Sequence, residues 1–121
     1  MSELPHKLAK GEHKVIISAI RDNPLEEFKA AVERNYVHVK FTETKGGTEL
    51  GFRLDKEFSD FSKGDLEKGS GEITVAGNLK LDGVPVRCVA TVDLGSMEGK
   101  GHLEILSEEE YEEAKQKHGA N

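Results

Sequence analysis

Two runs of alternating hydrophobicity, Ile73 to Leu81 and Val84 to Val92, meet at Asp82-Gly83, and this junction constrains the fold more than any other stretch of the chain. Asp and Gly both tolerate the positive φ that a type I′ turn demands, so the pair predicts a two-residue hairpin loop. The loop sets a register in which Leu81 faces Val84, Leu79 faces Val86, Gly77 faces Cys88, Val75 faces Ala90 and Ile73 faces Val92. Side chains alternate across a strand, so all of these lie on one face, and that face is core.

The same reasoning predicts a second hairpin. Val37, Val39 and Phe41 alternate with Tyr36, His38 and Lys40, Gly46-Gly47 supplies a turn between Lys45 and Thr48, and Leu50, Phe52 and Leu54 alternate on the return. Counted from a two-residue turn, Phe41 faces Phe52 and Val39 faces Leu54, and His38 stands opposite Asp55 on the polar face. Upstream, the β-branched run from Lys14 to Ile20 reads as a first strand. Asn23 as cap, Pro24 at the first helical position and Glu26 predict a helix to Arg34 with Leu25, Phe28, Ala31 and Val32 as its apolar stripe.

From Lys56 to Gly71 the period is lost, and Phe58 and Phe61 sit in a long connection. Pro85 cannot donate to a ladder, which predicts a free edge at its end of the strand. A last strand runs from Lys100 to Leu106 with Leu103 and Ile105 inward, and Gly99 and Gly101 suggest a bulge. Ser107 and Glu110 have capping-box spacing, and they open a peripheral helix that Gly119 would stop, with Tyr111 and Ala114 as its packing residues. The fold expected is α+β: an antiparallel sheet of about six strands curled over one N-terminal helix, with a peripheral C-terminal helix. An up-and-down β-barrel is the alternative.

A chain of 121 residues is read as a single domain, 1–121, with 1–12 a loosely ordered lead-in and 107–121 the peripheral helix. Its 17 basic and 23 acidic residues give a net charge of −6, which repels a phosphate backbone and argues against nucleic acid as a partner. The lone Cys88 has no partner for an internal disulfide, and no stretch has the apolar length of a signal peptide or a membrane span. A soluble, cytoplasmic protein without a membrane partner is expected.

No motif for metal, phosphate or nucleophile chemistry stands out, and no cofactor is expected. The nearest thing to an acid/base pair is His38 oriented by Asp55, with His102 on a neighbouring strand as a second polar group. An ordinary cross-strand pair of opposite charge is the plainer account of the same residues. Five histidines, His6, His13, His38, His102 and His118, lack metal-ligand spacing. Cys88 reads as an inert core thiol, and the glycines at 95, 99 and 101 precede a strand and not a helix. Small inward residues, Gly77, Cys88 and Ala90, beside Leu103, leave a hollow. Either Phe28 fills it, or it is an apolar ligand pocket under the connection that carries Phe58 and Phe61. On the outer face Ala76, Val89 and Leu106 form a small apolar patch, a candidate surface for a homodimer.

The reading these features support is a small binding or interaction module that holds a protein partner or a small apolar ligand without catalysis. A small enzyme of isomerase, cyclase or hydrolase type using His38 and Asp55 is one alternative. An acidic inhibitor or immunity-like protein is the other.

Overall fold

A computed structural model describes residues 4–17 and 24–118. The elements in order are α1 (Leu4–Leu8), β1 (His13–Ile17), α2 (Pro24–Glu33), β2 (Tyr36–Phe41), β3 (Thr48–Arg53), β4 (Gly64–Asp65), β5 (Ser70–Leu81), β6 (Val84–Asp93), β7 (Glu98–Ile105) and α3 (Glu108–His118). The cap expected at Asn23 and the stop expected at Gly119 lie outside the described residues.

The Asp82-Gly83 hairpin forms in the register its sequence predicts, from Leu81 opposite Val84 to Ile73 opposite Val92. Asp82 and Gly83 adopt φ of 51° and 81°, the left-handed conformation that a two-residue turn requires. The strand that follows Gly99 carries no bulge: Gly99 pairs with Val92 and Gly101 with Ala90. Gly99 is small for a different reason, because any Cβ there would collide with the Thr91 carbonyl across the ladder. Pro85 sits at the end of β6 where β7 has just finished. The free edge expected there is absent: Pro85 pairs with Lys80 of β5, and on its other side its carbonyl accepts a hydrogen bond from Leu106 N at 2.9 Å, so the proline is tolerated because the β6–β7 ladder ends one residue away at Val86 and Ile105.

The second hairpin is offset. Phe41 pairs with Thr48, Val39 with Leu50 and Val37 with Phe52, four residues from the register counted on a two-residue turn. Gly46 and Gly47 do turn the chain with φ of 74° and 76°, but the loop starts earlier. Gly47 N donates to the Thr44 carbonyl at 2.9 Å, and the Thr44 and Thr48 hydroxyls meet at 2.7 Å. An offset of four is even, so every apolar side chain keeps its face: Val37, Val39, Phe41 and Phe52 are fully buried. What changes is the pairing on the polar face.

One open antiparallel sheet results, seven strands in the order β3-β2-β1-β7-β6-β5-β4, where about six were expected and a closed barrel was the alternative. It curls so far that Phe52 and the Arg53 carbonyl of β3 lie against Gly77 of β5. The chain leaving β3 then runs back along β5. Asp55 N donates to the Ala76 carbonyl at 2.7 Å, Ala76 N donates to the Ser59 hydroxyl at 3.0 Å, and Asp60 and Thr74 exchange two bonds at 2.8 Å. The long connection expected between Lys56 and Gly71 is therefore a strap that covers part of an edge strand.

Phe28 of α2 is buried in the core inside the curl, and α2 packs on β2. Fully burying Phe28, Phe41 or Phe52 stabilises by about 1.5–3 kcal/mol each, which makes these rings the main fasteners of the inner face. The segment read as a loose lead-in holds a short helix, α1, that packs on β7 and buries Leu8.

Candidate docking margin

The polar residues singled out in the sequence do not come together. His38 stands opposite Gly51, not Asp55. Asp55 has passed beyond the end of β3 and is buried, 1% exposed, where its Oδ2 accepts from Asn78 Nδ2 at 2.8 Å and its Oδ1 from Glu57 N at 3.0 Å. These contacts make it a clasp between strap and sheet. His102 lies on β7, with β1 between it and β2. Lys40 faces Ile16 and Gly101 faces His13, so His38 and His102 sit about six residues apart along the strands, roughly 20 Å. The imidazole of His102 is occupied locally, with Nδ1 2.6 Å from Glu12 Oε2 and Nε2 3.3 Å from Glu104 Oε2. The offset at the Gly46-Gly47 loop is what dissolves the expected acid/base pair.

The small-residue hollow is occupied as well. A Cβ at Gly77 would run into the Phe52 ring, so the space is taken by a side chain from β3 and not by Phe28 alone. Cys88, Ala90 and Leu103 are closed into the core at 1% exposure or less. Burial without a charged neighbour pushes the Cys88 thiol far above the usual range, which leaves no thiolate for chemistry. Phe61 packs against the core edge, whereas Phe58 lies 44% exposed with the Arg87 guanidinium 3.7 Å over its ring, so the two aromatics of the strap do not line one pocket. The outer patch is covered too: Ala76 is fully buried under the strap and Leu106 is 6% exposed, which removes the surface expected for a homodimer.

What stays open is a margin. The strap is stitched to β5 only as far as Ala76, and β3 ladders only with β2. β3 meets β5 where Phe52 and the Arg53 carbonyl lie against Gly77, and among the described residues no ladder joins β3 to the Asn78 to Leu81 end of β5. A sheet that stops short of closing offers strand-edge backbone groups to an incoming chain. At the rim, Leu81 and Val84 are half-buried against the core cluster on either side of the Asp82-Gly83 tip. On the outer face of β2, the Tyr36 and His38 rings meet edge to face at 5.3 Å and lie over Gly51. A Cβ at Gly51 would come within 2.9 Å of the His38 ring and of the Tyr36 hydroxyl, so only glycine leaves room for both side chains here. By alternation alone Tyr36 and Gly51 fall on the face opposite Val37 and Phe52, with nothing to mark them. The signal available was a glycine opposite two rings, and it becomes readable only once the register is known.

A small sheet with an unpaired margin, apolar at its rim and without a reactive cluster among the described residues there, has the build of an interaction module. The chain belongs to the core binding factor beta subunit family, whose family model matches residues 2–121. Members of that family are small, non-catalytic subunits that bind partner proteins. The binding module and the protein partner expected from the sequence hold at that level, while the small apolar ligand and the homodimer find no support. No curated protein matches the chain. Among the described residues no helix is long and apolar enough to cross a membrane.

Proposed function

We propose that this chain is the subunit of a two-part transcription factor that does not itself touch DNA, and that it holds a DNA-binding partner of the Runt-domain type through the open margin between β3 and β5. The observation that carries this reading is the margin: β3 and the end of β5 beyond Gly77 are not joined by a ladder among the described residues, and Leu81 and Val84 are half-buried at its rim. A net charge of −6 suits the role, because it attracts a basic DNA-binding surface and repels the phosphates that surface is meant to reach. The subunit then acts by fixing the partner's conformation. It works beside chromosomal DNA, not in the cytoplasm that composition alone suggests.

The test is the partner's affinity for its DNA site, measured with and without the chain. The chain is expected to raise that affinity by about tenfold or more, the usual size of a coupling between sites, and to bind the same DNA not at all when alone. Leu81→Asp removes an apolar anchor from the rim and is expected to abolish the enhancement without unfolding the sheet. A chain that binds DNA by itself, or an enhancement untouched by Leu81→Asp, would overturn the proposal.

A further inference from the structure

The tip between β5 and β6 is the one place among the described residues where an aspartate is followed by a glycine. Such a pair carries its own chemistry. The amide nitrogen after an aspartate can attack the side-chain carbonyl carbon, and a glycine, having no Cβ, leaves that approach unhindered. Leu81 opposite Val84 is the last pair of the ladder, so the amides of Asp82 and Gly83 lie outside it. Both residues are exposed, and a Cβ built on Gly83 would meet nothing within 4 Å, which leaves room around the tip for a ring to close. Asp82 also holds φ at 51°, a left-handed conformation that strains a residue with a side chain.

The other four described aspartates are built against this reaction. Asp55 Oδ1 accepts from Glu57 N at 3.0 Å, Asp60 Oδ1 from Ser62 N at 2.9 Å, Asp65 Oδ1 from Glu67 N at 3.0 Å, and Asp93 Oδ2 from Ser96 N at 2.9 Å. Each carboxylate is held by an amide two or three residues on, not by the adjacent one. The adjacent residues are Lys56, Phe61, Leu66 and Leu94, whose side chains crowd the attack.

We infer that Asp82 is a site of spontaneous backbone rearrangement, at which the aspartyl linkage converts to an isoaspartyl one. Gly83 N attacks Cγ of the protonated Asp82 carboxyl. The C–N bond forms, the C–OH bond breaks, and the amide proton leaves with the hydroxyl as water. The five-membered succinimide then takes water back. Opening at the carbon that was the main-chain carbonyl routes the chain through Cγ, inserts one methylene into the backbone and leaves a free α-carboxylate. Mass and net charge are unchanged, and water is the only other reactant. A two-residue turn closes its strands with a fixed number of backbone bonds, so the added methylene slackens the Leu81–Val84 pair. Leu81 and Val84 also rim the docking margin, so the converted chain holds a partner less tightly; this last step alone rests on the proposed function.

The test incubates the full chain for several weeks at neutral pH and physiological temperature. It is then treated with an isoaspartyl carboxyl methyltransferase and a labelled methyl donor, and the labelled residue is located by peptide mapping. Label at Asp82 is expected to exceed that at any other described aspartate by at least about tenfold, because only there does the attacking amide belong to a residue without a Cβ. Asp82→Glu keeps the charge but would need a six-membered ring, and it is expected to abolish the label. Hydrogen exchange of the Val84 amide is expected to quicken in the converted fraction while Val75 and Val92 stay protected. Label at Asp82 no greater than at Asp60, or label undiminished by Asp82→Glu, would overturn the inference. Conversion that leaves affinity for the DNA-binding partner unchanged would contradict the link to docking and not the chemistry at Asp82.

Discussion

Gly77 shows how much a single residue sets in this molecule. It is the point where the curled sheet nearly touches itself, with the Phe52 ring and the Arg53 carbonyl where a side chain would go. Gly77→Ala is therefore expected to destabilise the chain by about 1–3 kcal/mol, an overpacking penalty readable as a lower urea midpoint. Asp55 acts from the strap side. Asp55→Ala removes the charged acceptor of Asn78 and the bond to Glu57 N, and the same measurement is expected to show a loss of about 2–3 kcal/mol. Cys88 is expected to resist alkylation in the native chain and to react fully in denaturant, because burial holds its thiol protonated. At this scale most inward residues were legible in the sequence, since period-two alternation survives any even offset; Ile105, expected inward, is the exception at 41% exposure, because it is the last residue of β7. Which polar residues meet was not legible: it depends on loop length, and the Thr44 to Thr48 hydroxyl contact that lengthens the loop has no periodic signature.

Among the elements, α3 is the clearest case of local chemistry deciding structure. Ser107 and Glu110 form the reciprocal cap their spacing predicts, with Ser107 N donating to Glu110 Oε1 at 2.9 Å and Glu110 N to the Ser107 hydroxyl at 3.0 Å. The bond from the Ser107 backbone, then that from its side chain, holds the Glu110 carboxyl below its ordinary value of 4.5. A carboxyl depressed in the folded state contributes stability above its unfolded value and loses it as pH falls through the folded one. Acidification below 4.5 is thus expected to release α3 before the sheet, seen as faster exchange of the Glu110 and Tyr111 amides while Val75 and Val92 stay protected. The strap was the element least visible in advance. Its hydrogen bonds to Thr74 and Ala76 run between backbone groups and Ser59, and they leave no hydrophobic pattern between 56 and 71.

At the scale of the molecule, the sheet is nearly a barrel that stops short of closing, and the place where it stops is where a partner can enter. Antiparallel architecture and a single curled layer were readable from two hairpins and a helix start. The open margin was not, because closure depends on how β3 meets β5, strands separated in sequence by the whole strap. The family points toward a protein partner, and the excess of acidic residues suits the basic DNA-binding surface proposed for it. The partner is expected to seat on that margin. The most direct measurement is amide hydrogen exchange of the chain, free and saturated with its DNA-binding partner. Slowed exchange concentrated in Thr48 to Phe52 and Lys80 to Val84 is the result expected, whereas protection gained elsewhere with these amides unchanged would contradict it.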